Sequence, residues 1–437
     1  MSFELVTSYE RPLLRPLVLP ASRSKEKPTT LIPDTQSSRS QLWHASTHIF
    51  VGTDDRDESP AWPPAKFNDD PANIPNDEKY DIPYYSASAK SSSTGFQLYV
   101  NSEEEQKTSK VPPPSLVAKR YVPTSTTNGS GQGITLLTLT GMGVPKEMFE
   151  PMLESLLPLL RKRGVKVEEV WAVDMPLSGE TAKANSIGYF YANEKDITRD
   201  LLLFVTAYLP TCPGQDLPKH LQPRVPTSQS RQPTRQNLHV VAHSLGAQAA
   251  ILASVHAPSI FSGMTVIDPA MIPAGKIKDA MAKLPKEVLC LGLPERFSNR
   301  ESVGKELRKN KRTRGWDERA VRLFAQYGVV PDESGKGLRL AGHPRLEWAL
   351  YYDKQTPTEC YDRLADVSIP FQAIMPARPF AVPPKMFEAD VRKIKQKTEV
   401  RWIQAATHQI VYEKMDACTG FVADWLTEMA GETKSRL

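Results

Sequence analysis

The chain has 437 residues, of which 40% are hydrophobic and 24% are charged, and its formal net charge at pH 7 is only +5. A chain of this length can bury one large core with additions, and its interleaved basic and acidic residues give no general nucleic-acid footprint. The first twenty residues contain short apolar patches broken by Arg and Pro, which argues against a signal peptide or a membrane span there. We therefore expect a soluble globular protein with no nucleic-acid partner and no transmembrane segment.

The four cysteines, Cys212, Cys290, Cys360 and Cys418, are widely scattered. None has the short paired spacing of a metal site or of a secreted disulfide scaffold. This pattern predicts reduced thiols inside the cell and no bound metal.

The N-terminal part of the chain alternates between polar segments and short strands. Residues 1–40 and 54–93 are rich in Pro, Ser, Asp and Lys without hydrophobic periodicity, which predicts a disordered arm and a mobile loop. Three strands are predicted between and after these segments, LWHASTHIFVG, FQLYVNS and SLVAKRYVP. The last two are expected to be antiparallel.

From Ile134 onward, strands and helices alternate. The strand ITLLTLT precedes a helix that opens at Pro145, and the strand VEEVWAVD precedes the helix EKDITRDLLLFVTAYL. Continuous apolar strands that alternate with helices are typical of a parallel sheet covered on both faces. The sequence therefore predicts an α/β fold, in which Asp174 at the end of VEEVWAVD ties down a loop.

Two segments interrupt this alternation. Residues 210–237, rich in Pro, Gln and Ser, predict a disordered surface insertion, because buried backbone there would lack hydrogen-bond partners. Residues 271–360 show the pattern of amphipathic helices without a clear strand. The core resumes after them with the strands IPFQAIMP and TEVRWIQ and a final helix from Tyr412. We therefore predict an α/β core over 41–270 and 361–431, with a helical cap over 271–360.

A strand that ends in a serine follows the insertion. In LHVVAHSLGAQAAILAS, an apolar strand turns at Ser244 into an Ala-rich helix, with Ala242 and Gly246 on either side. This is the G-x-S-x-G nucleophile elbow with Ala in place of the first Gly, in which a strained turn exposes the serine hydroxyl. The helix directs its N-terminus at the same point, so the Leu245 N–H is predicted to stabilise an oxyanion. The alternative role of Ser244 is an N-cap.

A serine nucleophile needs a base and an orienting acid, which follow it in this architecture. His408, between the last strand and the last helix, is predicted as the base, whereas His256 and His343 are expected to be structural. The loop after IPFQAIMP contains no carboxylate until Glu388. We therefore predict that Asp268, at the end of the strand in TVIDPA, is the acid. The alternative is that Asp268 is a plain turn residue and that Glu388 is the acid.

These residues resemble the α/β-hydrolase superfamily over about residues 42–429. Within it, the chain is similar to fungal peroxisomal hydrolases related to the AK-toxin biosynthesis esterase-lipase and the yeast peroxisomal lipase. The elbow AHSLGA carries the resemblance to the superfamily, and VPKEMFEP and WDERAVRLFAQYG narrow it to this group. The resemblance implies an α/β-hydrolase fold and a serine esterase, lipase or thioesterase of secondary metabolism, such as toxin biosynthesis, without a cofactor.

The resemblance also implies a second oxyanion donor. Met142-Gly143-Val144-Pro145 stands where many relatives have His-Gly-x-Pro, and in those relatives the N–H of x faces the elbow, which assigns Val144 here. Met142 replaces the usual His, and Ala242 replaces the first Gly of the elbow. These departures leave a second function open, a catalytically silent binding protein of a metabolite pathway that keeps the fold.

The cap is predicted to form the pocket for a small-molecule acyl substrate. Trp316, Phe324 and Tyr327 are the candidate wall residues, although their near-helical spacing also fits packing within the cap. The basic run 308–314 fits either an anionic substrate such as a coenzyme A thioester or a solvated helix face. The sequence leaves the choice between an ester and a thioester open.

The residues Ser435-Arg436-Leu437 match the S-K-L class of peroxisomal address. We expect residues 432–437 to form a polar tail that leaves the last helix and binds the peroxisomal import receptor, which predicts a peroxisomal location. The alternative is a frayed basic terminus of a cytosolic enzyme.

Overall fold

A central sheet of eight strands organises the chain. The computed structural model describes residues 17–19, 41–53, 98–100, 113–124, 133–185, 194–224, 234–258, 260–276, 292–332, 334–342, 355–379 and 382–435, together with positions 344, 347 and 350. The strands are β1 Leu17–Leu19, β2 Trp43–Val51, β3 Leu98–Val100, β4 Ser115–Pro123, β5 Ile134–Leu139, β6 Val167–Val173, β7 Leu238–His243, β8 Gly263–Ile267, β9 Arg296–Phe297, β10 Val329–Pro331, β11 Leu338–Leu340, β12 Phe371–Pro376 and β13 Thr398–Ile403.

The order of strands in the central sheet is β13-β12-β8-β7-β5-β6-β4-β2. Neighbours from β13 to β6 are parallel, and β4 pairs antiparallel with both β6 and β2 at one edge. Parallel neighbours require crossover connections, and helices supply them. The helices are α1 Glu150–Lys162, α2 Gly179–Ala184, α3 Glu194–Leu203, α4 Ser244–His256, α5 Arg300–Lys309, α6 Glu318–Tyr327, α7 Gln355–Asp362, α8 Pro384–Val391, α9 Ile410–Glu413 and α10 Met415–Ser435.

Both faces of the sheet are buried, because successive strand residues enter two different cores. Leu137 and Val240 pack in the core that contains residues of α3 and α4. Leu136 and Val241 pack in the core that contains residues of α1 and α10. This arrangement explains the continuous apolar strands of the sequence and confirms the predicted α/β fold.

The predicted strand FQLYVNS has a different partner from the one expected. Its described part, β3, pairs in parallel with β1 in a separate two-stranded sheet, and β1 lies in the segment 1–40 that was predicted to be a disordered arm. Three-residue strands show too little alternation to indicate a partner. The rest of residues 1–40 lies outside the described part of the chain.

The predicted disordered insertion 210–237 is ordered over 210–224 and 234–237. The Ile49 N–H donates to Lys219 O at 2.6 Å, and the Leu221 N–H donates to Ile49 O at 2.8 Å. Since β2 is the edge strand of the sheet, its free backbone groups provide the partners that the sequence argument assumed to be missing. Residues 225–233 lie outside the described residues.

The cap contains strands as well as helices, which corrects the prediction of a purely helical segment over 271–360. Helices α5 and α6 and most of α7 lie in it, and β11 pairs antiparallel with both β9 and β10. Gly335 and Gly337, with φ of 72° and 90°, turn the chain between β10 and β11. The strands have two or three residues each, too few for an alternation to appear in the sequence.

The C-terminal helix begins at Met415, three residues later than predicted, and it also ends later than predicted. Helix α10 continues through Ser435, so the first four residues of the predicted 432–437 tail are helical, whereas Arg436 and Leu437 lie outside the described residues. Cys212, Cys360 and Cys418 are free thiols. None of the helices in the described ranges combines the length and the apolar character needed to cross a bilayer.

Candidate active site

The turn between β7 and α4 places Ser244 in a strained conformation. The φ of Ser244 is 54°, a value that non-glycine residues rarely adopt, and its main chain leads directly into the helix. An ideal Cβ on Gly246 would lie 2.6 Å from Thr140 O and 2.7 Å from Leu139 Cβ, so this position requires glycine. The fully buried Ala242 shows that one methyl group is tolerated on the other side of the turn. The geometry is that of a nucleophile elbow.

A hydrogen-bonded chain joins the three residues predicted for catalysis. Ser244 Oγ lies 2.8 Å from His408 Nε2, and His408 Nδ1 lies 2.7 Å from Asp268 Oδ2. Asp268 follows the strand β8, which pairs with β7 so that Ile267 lies opposite His243. His408 lies in the loop between β13 and α9, and its side chain is 37% exposed. The arrangement allows Ser244 to lose its proton to His408 while Asp268 orients the imidazole.

The other acid and base candidates lie elsewhere. Glu388 Oε1 accepts a hydrogen bond from Trp402 Nε1 at 2.6 Å and is not a partner of His408. His256 Nε2 lies 3.1 Å from Arg363 Nη1 on the far end of α4, and His343 lies outside the described residues. Asp268 has a φ of 37°, a turn conformation that Asp tolerates, so its turn geometry and its bond to His408 occur together.

His243 is a residue of the site that the sequence analysis did not identify. Its Nε2 lies 2.8 Å from the carbonyl oxygen of His408, and the two rings are 5.1 Å apart. Burial, followed by the neighbouring His408, holds the pKa of His243 well below its ordinary value. His243 is therefore a neutral donor whose Nε2–H anchors the main chain of His408. Its position is the variable x of the elbow motif, so the motif gave no signal for it.

The second predicted oxyanion donor lies in a loop that begins beside the serine. An ideal Cβ on Gly141 would lie 3.1 Å from Ser244 Cβ. The Val144 carbonyl accepts a hydrogen bond from Thr140 Oγ1 at 2.8 Å, whereas the Val144 N–H has no acceptor within the described part of the chain. Leu245 follows Ser244 at the N-terminus of α4. Both N–H groups predicted for the oxyanion hole thus lie in segments that meet at Ser244.

A buried ionic cluster fixes the far end of this loop. The Asp174 carboxylate accepts hydrogen bonds from the main-chain N–H of Lys146 at 2.8 Å and of Glu180 at 3.0 Å. Lys146 Nζ lies 3.0 Å from Asp174 Oδ2 and 2.7 Å from Glu180 Oε2. Burial of Asp174 raises its pKa to about 6 even though the ammonium group of Lys146 opposes the shift. Asp174 ties down a loop as predicted, but no pattern in the sequence indicated its partner Lys146.

A cavity lies between this loop and the cap. Gly143 and Val144 line it from the core side, and Trp316 and Phe324 line it from the cap side. The third predicted wall residue, Tyr327, does not line the cavity, because its ring lies 5.2 Å from Lys119 Nζ on another side of α6.

Arg312 is the basic side chain of the run 308–314 that lines the cavity, next to the uncharged Asn310 and Thr313 of the same run. Arg308 instead donates to Glu318 Oε2 at 2.6 Å, and Lys309 donates to Glu306 Oε1 at 2.7 Å. Arg308 and Lys309 therefore pair with carboxylates along the surface of the cap, as expected if the run is a solvated helix face.

Comparison with known proteins agrees with the fold. A family model described as the alpha/beta hydrolase family matches residues 136–421. The peroxisomal alpha-beta-hydrolase Lpx1 from Saccharomyces cerevisiae is similar in structure with a TM-score of 0.60 and 15% identity, over 89% of this chain and 90% of Lpx1. The thioesterase domain from the curacin biosynthetic pathway has a TM-score of 0.48 and 14% identity, over 71% and 95% of the two chains. A thermophilic esterase from Thermogutta terrifontis has a TM-score of 0.44 and 15% identity, over 74% and 96%.

No curated protein sequence matches the chain, so its resemblance to the AK-toxin biosynthesis esterase-lipase stays a prediction. The family model, in contrast, covers the elbow, Asp268, His408 and more than half of the chain. The chain belongs to the alpha/beta hydrolase family.

Proposed function

We propose that the protein is a serine hydrolase that cleaves an ester or thioester of an acyl substrate through an acyl-enzyme. The observation that carries this proposal is the hydrogen-bonded chain from Ser244 Oγ through His408 to Asp268 Oδ2, with distances of 2.8 Å and 2.7 Å. In a serine hydrolase, this order of groups activates the hydroxyl and holds the imidazole in the tautomer that accepts its proton. The strained elbow supports the proposal, because strain of this kind accumulates at functional sites.

The reaction consists of two transfers of the acyl group. Ser244 Oγ attacks the carbonyl carbon while His408 Nε2 takes the hydroxyl proton, and the carbonyl oxygen becomes an oxyanion facing the N–H groups of Val144 and Leu245. The bond from the carbonyl carbon to the leaving oxygen or sulfur then breaks, and His408 returns the proton to the leaving group. Water attacks the acyl-enzyme with the same base, which releases the acid and restores Ser244.

The cavity between the cap and the loop 140–146, which we call the oxyanion loop, is the proposed site for the substrate. It adjoins Val144, so a group bound there lies next to the carbonyl under attack. Trp316 and Phe324 provide aromatic walls of the kind that small-molecule sites use. We assign both residues to substrate binding.

We also propose a peroxisomal location. Two observations support it, the Ser435-Arg436-Leu437 sequence and the structural similarity to the peroxisomal Lpx1. A fluorescent protein fused ahead of residue 1 should appear in puncta that overlap a peroxisomal marker. A diffuse signal that is unchanged by deletion of Leu437 would contradict this location.

Labelling with a fluorophosphonate tests the catalytic proposal. The wild-type protein should be labelled at Ser244, and Ser244→Ala should abolish both labelling and hydrolysis while the melting temperature stays the same. Ser262→Ala, which removes an exposed serine on a neighbouring segment, is the matched control and should label normally. A folded wild-type protein that does not label would instead favour a binding protein that has kept the fold without the chemistry.

A further inference from the structure

The cavity beside the oxyanion loop contains one carboxyl group that the proposed catalytic steps do not use. This group belongs to Glu347, a residue of the cap. An ideal Cβ on Gly143 would collide with Glu347 Oε2, and one on Gly342 would lie 3.0 Å from Glu347 Oε1. The two glycines therefore leave the room that the carboxyl group occupies. Since Gly143 precedes Val144, the carboxyl group lies within a few atoms of the proposed oxyanion hole.

Two uncharged polar side chains of the cavity are already used within the cap. Asn310 donates from Nδ2 to Gly292 O at 2.9 Å and accepts from the Arg312 N–H at 2.8 Å. Thr313 donates from Oγ1 to Leu307 O at 2.6 Å. Glu347, in contrast, has neither a hydrogen bond nor an ion pair with any residue that the structure describes. Its carboxyl oxygens are therefore polar atoms of the cavity wall that a substrate group can satisfy, as is the indole Nε1–H of Trp316, which is buried without a hydrogen-bond partner among the described residues.

The charge around Glu347 limits which substrate group fits. Burial raises the pKa of Glu347 to about 7, and Arg312, the charged side chain that faces it across the cavity, opposes the shift. Near neutral pH the carboxyl group is therefore present both as a donor and as an acceptor. A carboxylate or an ammonium group bound here would be attracted by one of these two side chains and repelled by the other. A hydroxyl group is neutral, and it donates and accepts, so it pairs with both forms of the carboxyl group.

We propose that the cavity selects acyl groups that carry a hydroxyl group close to the ester or thioester carbonyl, and that Glu347 is the residue that binds this hydroxyl. The proposal rests on the proposed function for the position of the carbonyl, which lies at Val144 and Leu245. The aromatic walls then receive the apolar remainder of the acyl group. A cavity with an unpaired polar group discriminates against a ligand that leaves it unpaired, because the desolvated group has no compensating hydrogen bond.

Binding to a variant that cannot turn over separates this proposal from the proposed function. In the Ser244→Ala background, calorimetry measures the affinity for the N-acetylcysteamine thioesters of 3-hydroxybutanoic acid and of butanoic acid, which share one leaving group and one chain length. The hydroxylated thioester should bind at least about tenfold more tightly. Adding Glu347→Leu should remove the preference, and adding Glu347→Gln should retain most of it, because an amide both donates and accepts.

The matched control is Glu301→Gln, which removes a highly exposed carboxylate on α5 of the same cap and should leave the preference unchanged. With Ser244 intact, the same preference should appear in kcat/KM. Equal binding of the two thioesters, binding of neither, or a preference that survives Glu347→Leu overturns the proposal. Absence of fluorophosphonate labelling, by contrast, overturns the proposed function while the affinity ratio still decides the role of Glu347.

Discussion

The side chains that meet at Ser244 come from distant parts of the chain. His408 lies 164 residues from Ser244 and 140 residues from Asp268. Their order could still be predicted, because an elbow motif fixes where a base and an acid must follow in this architecture. His243 could not be predicted in this way, since its importance depends on a bond to a carbonyl group that only the folded loop brings near.

The choice of acid leads to a prediction at the level of single residues. Asp268→Asn should reduce kcat roughly 10³- to 10⁴-fold with little change in melting temperature, because an amide does not hold His408 in the tautomer that accepts the Ser244 proton. Glu388→Gln removes a carboxylate that binds Trp402 and should leave kcat near the wild-type value. Steady-state kinetics on both variants measures the difference. A larger loss in the Glu388 variant would transfer the acid role to that residue.

The second residue-level prediction concerns His243. His243→Phe keeps an aromatic ring beside His408 but removes the donor to its carbonyl group, so the base is less well placed. We expect kcat to fall about 10- to 100-fold with little change in KM, since small misplacements of catalytic groups have effects of this size. His243→Gln restores an N–H donor and should recover much of the loss.

Comparison of kcat, KM and the melting temperature distinguishes positioning from general destabilisation. If His243→Gln and His243→Phe lose activity equally while both remain folded, the hydrogen bond to His408 has no role in positioning the base.

At the level of secondary-structure elements, the oxyanion loop is held at both ends. Its start packs against the elbow at Gly141, and its end enters the ionic cluster through Lys146. The side chain of Lys146 is fully buried. Three carboxylates, of Asp174, Glu147 and Glu180, outweigh the effect of burial and raise its pKa well above the ordinary value. Lys146 therefore stays charged, and its charge is what makes the burial of these carboxylates tolerable.

Removal of this charge should destabilise the whole core. Lys146→Met leaves the buried carboxylates without their shared cation. Loss of one partner of a buried ion pair lowers the unfolding free energy by about 3–5 kcal/mol, and we expect a loss of this size here. Urea unfolding measures the loss. Lys162→Met, at the exposed C-terminal end of α1, is the control and should change the stability by less than about 0.5 kcal/mol. Equal stabilities of the two variants would show that the cluster does not anchor the loop.

The elements that could be predicted are those whose pattern is local. Strands β5 to β8 and the helices α1, α3 and α4 have continuous apolar runs or helical periodicity and were predicted from these signals, whereas the six-residue helix α2 was not predicted. Three features depend on contacts instead, namely the parallel pairing of β1 with β3, the ordered part of the insertion at 210–224 and the small sheet of the cap. The insertion is ordered by the backbone of Ile49, and no residue pattern within 210–224 encodes an edge strand elsewhere.

At the scale of the whole molecule, one of the contacts between the cap and the core is made by a carboxyl group with a raised pKa. Glu347 extends from the cap to Gly143 of the core, and Asp317 of the cap donates its N–H to Tyr412 O of the core at 2.8 Å. The first contact carries a titratable group and the second does not. The stability of the assembled molecule should therefore depend on pH through Glu347.

The direction of this dependence follows from the raised pKa of Glu347, which moves from 4.5 to about 7 on folding. Between these pH values the folded protein keeps a proton that the unfolded chain releases, so the contribution of Glu347 to stability is highest below pH 4.5 and is lost as pH rises through 7. Glu347→Gln has no charge to bury. The unfolding free energy of this variant should equal that of the wild type near pH 4.5 and should exceed it at pH 8 by up to about 3 kcal/mol.

Chemical unfolding at pH 4.5, 6 and 8 measures this difference, with Glu301→Gln as the exposed control. Other groups titrate over the same range, but they do so in both proteins, and their contributions cancel when the wild type and the variant are compared at each pH. Arg312 stabilises the ionised form of Glu347, and that effect is already contained in the pKa of about 7. A difference between Glu347→Gln and wild type that is the same at all three pH values would show that the carboxyl group is not held against the oxyanion loop in solution.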